Sequence, residues 1–150
     1  MSPGPRTAGQ RRRDTEHRLA HDVDVWVASC SADGSPYLIP LSFDWDGETL
    51  LLATPTDSPT GRNLAASRSV RLALGLTRDV VMIDGAVEYL EIAALPADRA
   101  DRFAARSGFD PRSLTTEYRW FRISPSRIQA WREVDELAGR ELMRGGRWLI

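Results

Sequence analysis

The segment Val25–Asn63, VWVASCSADGSPYLIPLSFDWDGETLLLATPTDSPTGRN, decides the fold. In its middle piece Tyr37, Ile39, Leu41, Phe43 and Trp45 fall on every second position, and Leu38, Pro40, Ser42 and Asp44 take the other face. A repeat of two is the side-chain period of a β-strand, not of a helix. Asp33-Gly34 and Asp46-Gly47 stand where the chain must reverse, because glycine, or Asn/Asp beside it, enters the positive-φ region at low cost. The segment therefore predicts three antiparallel strands in a meander. It empties into a loop of small hydroxyl residues that ends at Arg62.

Upstream, residues 1–14 (MSPGPRTAGQRRRD) are expected to form a disordered leader, since they are rich in Pro, Gly, Gln and Arg and hold no aromatic residue. Thr15 to His21 predicts a short helix anchored by Leu19 and Ala20. Downstream, PTDSPTG is too rich in turn residues for a strand, and Arg62 to Ser67 suits a brief helix. Val70, Leu72 and Leu74 give a fourth strand with one buried face, and Thr77-Arg78-Asp79 turns it. Val80 to Ile92 reads as a long fifth strand whose Asp84-Gly85 marks a bulge or bend, the device that curls a sheet into a barrel.

Pro96 suits a helix start, Ala100, Phe103 and Ala104 give an apolar stripe, and Gly108 stops it; this is the only helix of ordinary length the sequence predicts. Tyr118 to Ile123 and Arg127 to Trp131 read as two further strands around Ser124-Pro125-Ser126, and Trp148-Leu149-Ile150 suggests a docked terminus. The expected fold is mainly β with minor α, a six- to seven-stranded antiparallel barrel with one or two short helices, as a single domain over residues 15–150. Side chains fill the interior of such a barrel, so a ligand must sit outside it.

The chain has 150 residues and a net charge of −1, from 20 basic and 21 acidic side chains. That balance gives polyanions no strong attraction, and the Arg11–Arg13 run lacks aromatic residues for base stacking, so nucleic acid is not an expected partner. No apolar run reaches the roughly 20 residues that span a bilayer, so neither export nor a membrane is expected. Cys30, the single cysteine, lies in the first strand and is expected to be packed in the interior; a reducing cytoplasm is the default location.

His17 and His21 share a helical spacing but have no evident third ligand, so no metal site is expected. The glycine patterns of nucleophile elbows, phosphate loops and dinucleotide folds are missing. What remains is an anion site. Thr54, Thr56, Ser58, Thr60, Arg62 and Asn63 gather hydroxyls, a guanidinium and the N–H groups of a helix start within ten residues, a combination suited to phosphate. The same residues also suit plain capping of an exposed helix. Ser42, on the outward face of the second strand, would present a hydroxyl beside a flat ring.

The order V-W-V-A-S-x-x-x-D-G-S-P-Y-L-I-P-L-S-F-x-W-D-G, T-x-x-x-x-x-x-x-R-N-L, V-R-L-A-L-G, and the closing F-R-I-S-P-S-R-I-Q-A-W, resembles the pyridoxamine 5′-phosphate oxidase-like FMN-binding split barrels. The likeness covers nearly all of residues 20–150 and is nearest the actinobacterial branch that uses FMN or a deazaflavin coenzyme. The resemblance implies a homodimer with cofactor grooves between subunits and an oxidoreductase acting on a small organic substrate. It places Leu41, Ser42 and Phe43 along the isoalloxazine ring, and Thr54, Thr60, Arg62 and Asn63 near the phosphate. Trp120 and Trp131 become candidates for the partner's wall, with buried core as the alternative; Arg71 and Arg78 are further candidates for phosphate or substrate. Many relatives carry a lysine where Thr60 stands, and a threonine brings one hydrogen bond but no charge. Either Arg62 compensates, or flavin binds weakly, or it has been lost; a non-catalytic dimer that binds a flavin or other planar ligand is the alternative function. Residues of the true oxidase's vitamin-phosphate site have no clear equivalent, so pyridoxal phosphate synthesis is not expected.

Overall fold

The computed structural model describes residues 4–150. Its elements are α1 (Ala8–His21), β1 (Asp24–Cys30), β2 (Pro36–Trp45), β3 (Leu50–Pro55), α2 (Pro59–Ser67), β4 (Ser69–Leu76) and β5 (Asp79–Glu91). There follow α3 (Ala97–Ser107), β6 (Tyr118–Trp131), β7 (Glu141–Arg144) and β8 (Arg147–Trp148), with three short 3-10 turns between them. The strands form one antiparallel sheet in the order β3-β2-β1-β4-β5-β6-β7-β8. β3 pairs back onto β6, from Leu50 opposite Ile123 to Pro55 opposite Tyr118, and so closes six strands into a barrel. Both expected hairpin glycines have positive φ, 88° at Gly34 and 100° at Gly47.

The barrel interior is filled by a cluster that includes Val27, Phe43, Leu50, Leu52, Leu72, Ile83, Phe121 and Ile123. A second cluster of Leu51, Ala53, Ala100, Phe103 and Trp120 lies outside the barrel wall, under α3. β3 is thus covered on both faces, which is why Leu50-Leu51-Leu52-Ala53 runs apolar without alternation. β2 departs from simple alternation for a related reason: Phe43 points inward, while Asp44 on the outer face is also buried. Arg99 of α3 is ion-paired with the Asp44 carboxylate, and Arg102 and Arg106 approach it at 3.6 and 3.8 Å. Arg106 also donates to the carbonyls of Leu19 and Ala20, each at 2.8 Å, satisfying groups that the end of α1 leaves without helical partners.

Four expectations are corrected. The leader does not stay irregular through residue 14: a helix begins at Ala8, capped by a reciprocal Thr7–Gln10 box, and residues 1–3 lie outside the described residues. Arg11 is buried there and donates to the Gly139 carbonyl at 2.9 Å, a tertiary anchor that local composition cannot show. α1, at 14 residues, is therefore longer than α3, at 11, and with α2 the helices number three. The two strands expected around Ser124-Pro125-Ser126 are one 14-residue strand, β6. Its first half closes the barrel against β3 and its second half carries β7, so the barrel splits in the middle of this strand and the strands total eight. Cys30, finally, is exposed at the end of β1 instead of packed inside.

Candidate functional site

The outer face of the barrel at β1, β4 and β5 carries two adjoining grooves. The bulge between β5 and β6 shapes the first. The register jumps from Asp84 opposite Arg127 to Gly85 opposite Pro125, leaving Ser126 unpaired. Gly85 is required because a Cβ there would lie 2.6 Å from Ile123 Cγ2 and 2.9 Å from the Ser124 carbonyl. The displaced Ser126 donates its hydroxyl to the Asp84 carbonyl at 3.0 Å. Ser126 joins Ser29, Ser67, Ser69, Arg71 and Asp84 around a groove of about 540 Å³, with Cys30 on its rim.

Arg71 and Asp84 face each other across β4 and β5 and form a fork: Nε donates at 2.6 Å and Nη2 at 3.1 Å. That hydrogen-bonded carboxylate pushes the Arg71 guanidinium still further toward its charged form. Ser29 accepts from Asn63 Nδ2 at 3.1 Å, which leaves its own O–H free to donate and ties α2 to the groove. Arg71 and Ala28 also line the second groove, about 280 Å³, with Trp26, Leu38, Leu72, Ala73 and Met82. Trp26 is 49% exposed and Leu38 61%, large apolar side chains left facing water beside a hydroxyl-lined trough.

The structure separates the residues expected from the sequence. Ser58 caps α2, accepting from the Gly61 N–H at 3.0 Å, and Arg62 N–H is taken by the Ser58 carbonyl. Pro59 has no N–H, so the first turn of α2 has one donor fewer to satisfy. Thr54 and Thr60 are buried, and the Thr60 hydroxyl has no hydrogen-bond partner. The Arg62 guanidinium is exposed; its Nη1 donates to the Asp57 backbone carbonyl at 2.5 Å and is paired with the Asp57 carboxylate at 3.2 Å, and since Asp57 is almost fully in solvent the ion pair itself contributes little.

Along β2, Leu41 and Ser42 are half-buried, with the Ser42 hydroxyl donating to Asp24 at 2.8 Å, and Phe43 is sealed in the core. Trp120 is fully buried, edge-on to Phe103 at 5.2 Å, with its indole N–H on the Ile92 carbonyl; the core position is the one it takes. Trp131 remains half-buried, with Arg140 over its ring at 5.8 Å. Arg78 is exposed in the β4–β5 turn, and Thr56 donates to the Glu117 carbonyl at 3.4 Å. Sequence reading missed Trp26, Ser29, Ser69, Asp84 and Ser126 as groove residues. The one available signal was Trp26 in an outward slot of the Val25–Cys30 alternation, and only strand pairing brings the others together.

Among the described residues no group of three or more metal-ligating side chains occurs, and no helix is long and apolar enough to cross a membrane. No curated protein matches the chain. A family model for pyridoxamine 5′-phosphate oxidase matches residues 17–132. Among solved structures, one described as an F420 reductase superposes with a TM-score of 0.64 at 19% identity, covering 75% of this chain and 94% of its own. General stress protein 26 from Bacillus anthracis gives 0.58 at 17% identity, over 80% of this chain and 92% of that one. A Clostridium acetobutylicum protein related to general stress protein 26, of the pyridoxinephosphate oxidase family, gives 0.57 at 16%, over 85% and 89%. Identities this low establish a common fold and nothing finer. The family match, which spans the closed barrel from the end of α1 to the end of β6, makes this chain a member of the pyridoxamine 5′-phosphate oxidase family.

Proposed function

We propose that this protein is a homodimeric, cytoplasmic oxidoreductase that holds FMN or a deazaflavin coenzyme in the outer-face groove and acts on a small organic molecule. The observation that carries the reading is the continuity of the two grooves, in which a hydroxyl-lined trough meets an apolar slot at a fixed guanidinium. A flavin has the same division into a flat apolar ring and a polar, phosphorylated tail. Bound there, it would supply the hydride or electron transfer, which explains why no nucleophile or triad is needed. The chain's own part is to position and to screen. Ser29 and Ser69 offer hydroxyls, Arg71 offers Nη1, and Arg62, released from Asp57, is the further guanidinium proposed for the phosphate.

Dimer formation is supported by the exposed Trp26 and Leu38, which share the outer face of β1 and β2 and would be withdrawn from water by a second copy. All 20 Lys and Arg residues of the chain are arginines, so no lysine amine is available to form a Schiff base with pyridoxal phosphate. The test is direct: titrate the purified protein separately with FMN and with the deazaflavin coenzyme, following the flavin absorption band and protein fluorescence. Saturable binding of one is expected; binding of neither removes the proposal.

A second reading, a non-catalytic dimer that sequesters a flavin or another planar ligand, is favoured by the uncharged, buried Thr60. Saturable binding with no turnover across a panel of reductants and acceptors would select it.

A further inference from the structure

We propose a second binding site, for an uncharged or cationic planar heteroaromatic compound bearing N–H groups, in the fork where β6 leaves β3 for β7. The fork follows from the topology. β3 and β6 stop pairing at Leu50 opposite Ile123, and β6 next contacts β7 at Ile128 opposite Met143. Between the diverging edges lies a groove of about 500 Å³, which shares no lining residue with the Arg71 groove and is divided from it by the β6 bulge at Ser126. Trp45, at the end of β2, stands on one side, and Trp148 and Met143, on β8 and β7, stand on the other, with Pro125 between.

Both indoles are half-buried against the core, which fixes them as walls. Trp148 is held from a further side by Arg12, whose guanidinium lies 4.5 Å from the ring centroid and is itself paired with Glu16 at 3.0 Å. Indole, thioether and proline surfaces suit the faces of a flat ring. The polar rim consists of Glu48, Thr49 and Ser124, and Glu48 is the only charged residue lining the groove. A carboxylate accepts and cannot donate, so it selects a ring edge that carries N–H and opposes a phosphate or carboxylate on the ligand. The site is thus chemically unlike the outer-face groove, and the inference does not rest on flavin binding there.

The probes are 9-aminoacridine, cationic at neutral pH, and acridine-9-carboxylate, its anionic counterpart, each titrated into the full chain by isothermal calorimetry. Saturable binding is expected for the first, at least tenfold tighter than for the second. Trp148→Ala should weaken 9-aminoacridine by about tenfold or more, the scale of one lost stacking wall. Because that variant removes core packing as well, Glu48→Gln, at an exposed rim position, provides an independent arm. It should keep the fold and reduce the preference between the two probes severalfold. An FMN titration run in parallel should be unchanged by Glu48→Gln if FMN binds at all. Equal binding of the two probes, no saturable 9-aminoacridine binding, or a preference untouched by Glu48→Gln overturns the proposal, whatever FMN does.

Discussion

Removing the Glu136 carboxylate should loosen the N-terminal segment and cost a defined share of stability. Glu136 is 2% exposed, in the 3-10 turn that follows β6, and its two oxygens accept from four donors. These are the Arg6 backbone N–H at 2.8 Å, Arg6 Nε at 3.1 Å and Nη2 at 2.7 Å, and the Arg132 backbone N–H at 2.9 Å. The Arg6 side chain foremost, against an opposing burial cost, holds this carboxyl at about 2, well below its ordinary 4.5. The difference is equivalent to about 3 kcal/mol in favour of the folded, ionised state. Because the folded value is the depressed one, this contribution is fully present above the ordinary carboxylate range and fades as pH falls from about 4.5 toward 2. In urea melts followed by circular dichroism, Glu136→Gln should be about 3 kcal/mol less stable than the parent at pH 7, and the gap should narrow steadily from pH 4.5 down to 2.5. In thermal melts at pH 7 the midpoint should fall by roughly 6–12 °C. Stability curves for parent and variant that run parallel between pH 5 and 2.5, or a pH 7 difference under about 0.5 kcal/mol, would refute the assignment of Glu136 as the anchor of residues 6–11.

Arg62→Ala should leave the melting midpoint nearly unchanged, since its Asp57 pair is exposed, yet weaken FMN or deazaflavin binding about tenfold or more in an equilibrium titration. Leu38→Asp places a charge on the exposed apolar patch of β2 and should convert a dimer to a monomer by light scattering, with secondary structure intact by circular dichroism. Gly85→Ala forces a methyl group against Ile123 and the β6 backbone, so a loss of about 1–3 kcal/mol is expected in urea melts. The same variant should weaken ligand binding in the groove beside Asp84, even at temperatures where it is fully folded. Asp44→Ala strips the common partner from Arg99, Arg102 and Arg106, and should destabilise by about 3–5 kcal/mol, with hydrogen exchange rising first in α3.

Strands and their turns could be read from local sequence alone. Alternation of apolar side chains, aspartyl-glycine pairs at Gly34 and Gly47, and a glycine inside a long strand are local signals, because backbone sterics and the period of two act within a few residues. The order of motifs also carried the family. Features made by partners distant in the chain became visible in the folded molecule alone. Residues 8–14 read as a loose leader because the groups that hold Arg6 and Arg11, Glu136 and Gly139, lie more than 120 positions away. Asp44 broke the alternation because three arginines of α3 cover it. The groove around Arg71 was illegible for the same reason: Ser29, Ser69, Asp84 and Ser126 belong to four strands, and register, not sequence proximity, sets them around one trough. Thr60 and Trp120 looked available for binding in the sequence, and burial assigns them to packing, since exposure is a property of what the rest of the chain places on top of a residue.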